Sequence, residues 1–223
     1  PCRIALPRCW NCPHRLPAAS EYPLSFVNRL LRIWYHDFLS LASVGANCYT
    51  GSQKGGAVMY VTKISSPVGN LLLASDGQAL TGLWLEGQKY FAATLDDNAA
   101  ERSELPVFRQ TTEWLDAYFE KSPLPALPPL APRGSAFRQA VWKLLLEIPY
   151  GQTTTYGELA RGLRENGVSA APQAVGGAVG HNPISILIPC HRVLGADGSL
   201  TGYAGGVETK RFLLTLEGTD AGK

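Results

Sequence analysis

Residues 155–191 read TYGELARGLRENGVSAAPQAVGGAVGHNPISILIPCH, and this stretch carries both an architecture and a chemistry. Thr155 followed three residues later by Glu158 forms a capping box, in which the hydroxyl accepts from a first-turn N–H and the carboxylate reaches back to the cap. That predicts a helix through YGELARGL. Pro172 suits the first turn of a second helix, because the N–H it lacks has no partner there, and Asn182-Pro183 ends that helix. Two short helices joined by a turn form a helix-turn-helix pattern, which is weak evidence alone. Gly176 and Gly177 sharpen it, since each interior glycine costs ~1 kcal/mol against alanine. Either tight helix packing or close approach of another backbone is the reason for them.

Directly downstream, ISILIPCHRVLGADGSLTGYAGG (184–206) predicts an apolar extended run delivering Cys190 and His191, then a glycine-rich hairpin. A free cysteine with pKa near ~8.5 is mostly protonated at neutral pH, so a nucleophilic role requires activation. His191 is placed to take the thiol proton, directly or through water, and Glu217 to orient the imidazole. A buried structural cysteine beside a surface histidine fits the adjacency equally well. A Cys-His hydrolase is a third reading, although nothing in the chain suggests an oxyanion hole.

Working upstream, Ser135 is the expected N-cap of a helix presenting Phe137, Val141, Leu144 and Leu145 on one face and ended by IPYG. Before it, SPLPALPPLAPRG has five prolines and no period, which marks a semi-rigid linker over residues 122–134. RQTTEWLDAYFEK places Trp114, Leu115, Tyr118 and Phe119 on one helical face, stopped by Ser122-Pro123. MYVTKIS, NLLLAS and ALTGLWLE are short, apolar and separated by SPVG and DGQ turns, a β-meander. The expected organisation is α/β (α+β) in two domains: a small sheet domain over 59–121, the linker, and a mostly helical domain over 135–218.

Residues 1–58 have a different texture, with no sustained period and a flexible TGSQKGGA join, and are read as an irregular extension. Four of the five cysteines (Cys2, Cys9, Cys12 and Cys48) lie there, leaving Cys190 alone, so no disulfide framework is expected. Cys2, Cys9, Cys12 and His14 suggest zinc, but the spacing lacks a second ligand pair. Residues 24–41 have the pattern of a short amphipathic helix. Hydrophobic residues make up 45% of the 223, enough for one good core or two small ones. No apolar run approaches the ~18 to 20 residues of a membrane span, and no secretory signal is visible. A soluble, cytoplasmic protein is expected.

The net charge of +2 is unevenly spread. Residues 1–58 carry 6 Lys/Arg against 2 Asp/Glu, residues 59–130 carry 5 against 9, and residues 131–223 carry 9 against 7. The last segment suits a polyanion, though its excess is too modest for tight binding through charge alone. Arg138, Arg161 and Arg164 are candidate phosphate contacts.

FRQAVWKLLLEIPYGQTTTYGELA, QAVGGAVGHNP, ILIPCHRV, GYAGG and KRFLLTLEG occur in one order without large gaps over residues 135–218. In this they resemble the O6-alkylguanine-DNA alkyltransferase family, the methylated-DNA–protein-cysteine methyltransferases. The sheet domain from Met59 is similar to that family's N-terminal domain. The resemblance implies a ribonuclease-H-like sheet domain followed by a winged-helix-like DNA-binding domain that carries the active site. It also implies a single-turnover transferase for which no cofactor and no metal are expected. The partner is double-stranded DNA containing O6-alkylguanine, with O4-alkylthymine as a second candidate, and the protein acts as a monomer.

Carried over residue by residue, Cys190 resembles the methyl acceptor, His191 the base acting through a water, and Glu217 its carboxylate partner. Tyr156 matches the tyrosine that donates to the flipped base, and Asn182 helps fix the turn bearing the cysteine. Tyr203, Ala204 and Gly205 resemble the wall that reads the guanine edge. Gln173, Ala174, Gly176, Gly177 and Arg192 are the matching DNA-binding positions. Two departures stand out. Gln173 occupies a position where better-known members have an arginine that fills the space left by the flipped base, and Ala204 replaces a serine found in several. Glutamine still hydrogen-bonds the orphaned partner base but adds no charge. A lesion-binding relative without activity would replace the cysteine; this chain keeps it.

Overall fold

The computed structural model describes residues 58–219. The cysteine-rich extension, including the candidate zinc ligands and the helix read over 24–41, lies outside the described residues, as do residues 220–223. The meander forms as read: β1 (Tyr60–Ser66), β2 (Gly69–Ser75) and β3 (Leu80–Leu85) pair antiparallel in sequence. A two-residue β4 (Ala100–Glu101) adds parallel to β1, giving the order β3-β2-β1-β4.

Helix α1 (Pro106–Phe119) starts three residues earlier than the reading from 109, because Pro106 sits in its first turn. Its buried positions Val107, Phe108, Thr111, Trp114, Leu115 and Tyr118 recur at helical spacing and lie against the sheet. The end of the proline-rich segment is held more firmly than a linker. Leu80 N–H donates to Pro129 O at 2.8 Å, and Ala131 N–H donates to Leu80 O at 2.8 Å, so residues 129–131 lie along the start of β3.

The second half contributes α2 (Ala136–Leu146), α3 (Tyr156–Glu165), α4 (Pro172–Gly180) and α5 (Val207–Leu216). Ser135 caps α2 by accepting from Arg138 N, and Thr155 with Glu158 forms the full capping box at α3. Both are local signals, and both are realised. Trp142 Nε1 donates to Ala178 O at 2.9 Å, locking α2 to α4. The apolar side chains of the two halves merge into one buried cluster running from Leu71 to Leu213.

Two expectations fail downstream of α4. The run 184–188 is a compact turn, with Ile186 at φ 70, rather than an extended segment. The glycine-rich stretch forms turns rather than a hairpin. Only β6 (Val193–Leu194) pairs, and it does so in parallel with β5 (Thr154–Thr155). The physical reason is that this backbone finds partners other than a neighbouring strand. Leu83 N–H donates to Pro183 O at 2.8 Å, and Ser185 N–H donates to Leu83 O at 2.9 Å, so the turn hangs on the outer edge of β3. Asn182 supplies the rest through its side chain.

Candidate active site

Asn182 is buried behind α4, and its amide organises the turn. Oδ1 accepts from Ile184 N at 3.1 Å, while Nδ2 lies 3.2 Å from Ile184 O and 2.8 Å from Ile188 O. The same nitrogen donates to Cys190 Sγ at 3.1 Å. Cys190 opens a 3-10 turn, Cys190–Arg192, and is 4% exposed. Burial drives its thiol up to about 11, against the Asn182 hydrogen bond and the charge of Lys210, which pull it down. The resting cysteine is therefore a protonated thiol.

His191 is fully buried, and burial depresses its pKa despite the counteracting pull of Glu217. It is neutral at pH 7. Its Nε2 lies 2.8 Å from Glu217 Oε1, and since the carboxylate only accepts, Nε2 carries the proton. Nδ1 is then a bare acceptor, buried with no hydrogen-bond partner among the described residues. Burial opposes ionisation of Glu217, but hydrogen bonds from His191 and Arg192 outweigh it and bring the carboxylate down to about 2.

Arg192, read from sequence as a DNA-binding residue, is placed elsewhere. Its Nε and Nη2 donate to Glu217 at 2.8 and 2.9 Å, and Nη1 donates to Ile148 O at 2.6 Å. A guanidinium so occupied and buried faces the relay rather than a nucleic-acid surface.

Two further groups were not singled out in the sequence. Tyr118, from α1, donates to Glu217 Oε1 at 2.7 Å. Lys210, from α5, is wholly buried, and its Nζ donates to Val193 O and to Thr201 O. Burial lowers Lys210 to about 8, with Cys190 opposing the fall. A lysine in the buried row Lys210, Leu213, Leu214 of α5 was the available signal; for Tyr118 it was a hydroxyl on an apolar helix face, which needs a partner when buried.

Thr201 O also accepts from the Tyr156 hydroxyl at 3.1 Å, so two donors fix the loop at one carbonyl. Gly202 makes this possible: its φ is +77, and a Cβ there would lie 2.3 Å from the Tyr156 oxygen. Tyr203 is buried, edge-on to His191 with centroids 6.4 Å apart. Ala204 and Gly205 are half-buried, and Ala204 O accepts from Lys89 N at 3.0 Å, so the sheet domain also touches this loop. On α4, Gln173, Ala174 and Gly177 are exposed; a Cβ on Gly177 would meet nothing within 4 Å, and one on Gly176 only the Tyr156 ring at 3.8 Å. Tight helix packing therefore does not explain Gly177.

The site thus joins a buried thiol, an adjacent imidazole with a free acceptor nitrogen, and a carboxylate orienting that imidazole. No helix among the described residues is long and apolar enough to cross a membrane.

The family model for the 6-O-methylguanine DNA methyltransferase ribonuclease-like domain matches residues 59–132, and that for the DNA binding domain matches residues 136–219. A methylated-DNA–protein-cysteine methyltransferase of Haemophilus influenzae is 49% identical over 160 residues, covering 71% of this chain and 86% of the relative. One from Methanosarcina acetivorans is 44% identical over 162 residues, covering 72% of this chain and 99% of the relative. Among solved structures, Mycobacterium tuberculosis OGT in complex with DNA is 43% identical with a TM-score of 0.62, covering 71% of this chain and 92% of that one. The chain belongs to the 6-O-methylguanine DNA methyltransferase family.

Proposed function

We propose that this protein repairs DNA by direct reversal, moving a methyl or other alkyl group from O6 of guanine irreversibly onto Cys190. The observation that carries the reading is the Cys190–His191–Glu217 arrangement: a protonated thiol beside a neutral imidazole whose Nε2–H is committed to Glu217. The thiol proton passes to His191 Nδ1, directly or through water. The sulfur attacks the alkyl carbon in line, and as the S–C bond forms the C–O6 bond breaks, leaving its electron pair on guanine. Tyr156, Asn182 and Lys210 favour the charges that develop: Tyr156 by turning its one hydroxyl proton from Thr201 O to the leaving base, Asn182 and Lys210 by stabilising the thiolate.

Because O6 faces the partner base within the stack, the nucleotide must be extruded to reach the buried sulfur. Tyr203, Ala204 and Gly205 form the base pocket in this reading. Gln173, Ala174, Gly176 and Gly177 lie along the duplex, with Arg161, Arg164 and Arg138 toward phosphates. O4-alkylthymine is a second substrate. Residues 59–121 and 135–218 carry the activity in the cytoplasm as a monomer, and residues 1–58 are dispensable to it.

The product is a thioether, and among the described residues no second thiol lies at Cys190 to remove the alkyl group, so each molecule acts once. Incubation with excess duplex containing O6-methylguanine should add the mass of one methylene to the Cys190 peptide alone. Cys190→Ala should keep DNA binding and lose transfer. Methyl on another peptide, or repair of many lesions per protein, would refute the mechanism. Binding without any transfer would instead identify a lesion-recognition protein.

A further inference from the structure

Tyr118 is wholly buried in the last turn of α1, its ring stacked on Trp114 with centroids 5.4 Å apart and edge-on to Phe119 and Tyr150. The ring is core, but the hydroxyl leaves the helix for the second half of the molecule. It donates at 2.7 Å to Glu217 Oε1, the oxygen that holds His191, and lies 3.5 Å from His191 Nε2 itself.

Five donors converge on the two oxygens of Glu217. Oε1 accepts from Tyr118, His191 and Arg192 Nη2; Oε2 accepts from Arg192 Nε and from Gly151 N at 3.2 Å. The Arg192 fork and Gly151 already fix the carboxylate in place. The hydroxyl is therefore not needed to anchor Glu217. What it does is draw charge from the oxygen that faces the imidazole, in a dry setting where such donation is strong.

We propose that Tyr118, supplied by the ribonuclease-like half, is a positioning residue of the relay: by sharing Glu217 Oε1 with His191, it limits how strongly the carboxylate holds the imidazole proton and so sets the basicity of Nδ1. The other titratable or charged groups around this pair are Cys190 and Arg192 on the 3-10 turn, Lys210 on α5, and Tyr150 after α2, whose ring lies under Arg192 at 5.8 Å. Tyr203 flanks the imidazole. Of the three tyrosines, Tyr118 is the one whose hydroxyl donates to Glu217, and Tyr118→Phe removes that donor without emptying the core.

The rate arm of the test rests on Cys190 being the acceptor; the spectroscopic arm does not. Tyr118→Phe keeps the ring and deletes the donor. Glu217 should then pull harder on Nε2–H and His191 should become more basic, moving the acid limb of the single-turnover rate up by roughly 0.5 to 1 pH unit. The imidazole ¹⁵N shifts should report the same change in the unreacted protein. Leu115→Ala loosens α1 without touching the relay, and should lower the melting temperature while leaving the limb in place. An unmoved or acid-shifted limb in Tyr118→Phe, or an equal shift in Leu115→Ala, overturns the proposal.

If Tyr118→Phe does not fold, 3-fluorotyrosine at position 118 decides the matter. It keeps the shape and strengthens the donor, so the limb and ¹⁵N shifts should move in the opposite direction; no movement overturns the proposal. Should no variant transfer methyl, the ¹⁵N shifts still judge Tyr118, and only the acceptor reading falls.

Discussion

The side-chain amide of Asn182 reaches eight residues forward to Cys190, donating to the sulfur at 3.1 Å while its oxygen and nitrogen hold the turn between them. One residue thus shapes the segment that bears the nucleophile and favours that nucleophile's anionic form.

Asn182→Ala should accordingly do two things at once. It strands Ile184 N in the interior and leaves Ile188 O with only the Cys190 N–H, a loss of roughly 1–3 kcal/mol in chemical denaturation. It also removes a donor that lowers the thiol pKa, so transfer should fall by at least about tenfold. Asn182→Asp, similar in shape but placing an acceptor against the sulfur, should separate the effects by losing more transfer than stability. A variant that melts lower yet transfers normally would confine Asn182 to architecture.

Gly202→Ala tests the loop. The alanine would meet the Tyr156 hydroxyl at a backbone angle that L side chains rarely adopt, so the Tyr156–Thr201 hydrogen bond should break. A stability loss of about 1–2 kcal/mol is expected from the strained angle. Transfer should fall more than in Tyr156→Phe, which removes only the hydroxyl. Equal activity in Gly202→Ala and the parent protein would contradict this role for the loop.

Stability should decline with acid along a definite course. His191 is held below its ordinary value of 6.5 in the fold and Glu217 at about 2 rather than 4.5, so below pH 6.5 the unfolded chain binds protons that the folded chain refuses. Proton uptake favouring the unfolded state means stability is lost as pH falls, first through histidine and then through Glu217 between about 4.5 and 2. The carboxylate's share is on the order of 3 kcal/mol. Denaturant midpoints that stay flat from pH 6.5 to 3 would contradict the buried pairing.

Gln173 lies exposed at the start of α4. Gln173→Arg should tighten binding to undamaged duplex and steepen the salt dependence by about 0.9 in log K against log salt, one phosphate's worth. Unchanged or weaker binding would show that this position does not meet DNA.

What the sequence revealed was mostly what lies within a few residues of itself. Ser135 and the Thr155/Glu158 pair announce helix starts through contacts three residues away, and the strands announce themselves by turn chemistry. Cys190, His191 and Glu217 are legible first as a chemically coherent thiol, base and carboxylate and then through motif resemblance, and the fold joins His191 to Glu217 beside Cys190. The misses are long-range. Tyr118 reads as one more apolar-face residue because its partner lies 99 positions on, and Arg192 reads as a DNA contact because its charge is cancelled by a carboxylate 25 positions away. The run 184–188 reads as a strand because nothing in its own letters says that Asn182 and the β3 edge will take its hydrogen bonds.

That edge also has a consequence for how the chain is made. Leu80 waits for residues 129–131 and Leu83 for residues 183–185, the latter emerging from synthesis a hundred positions later. Until then the outer rim of the sheet is an open template for other strands, the kind of surface that seeds misassembly. The segment that carries the reactive cysteine is therefore also the latch that closes the sheet, and a nascent chain halted before Pro183 would lack its nucleophile and the protection of its β3 edge together.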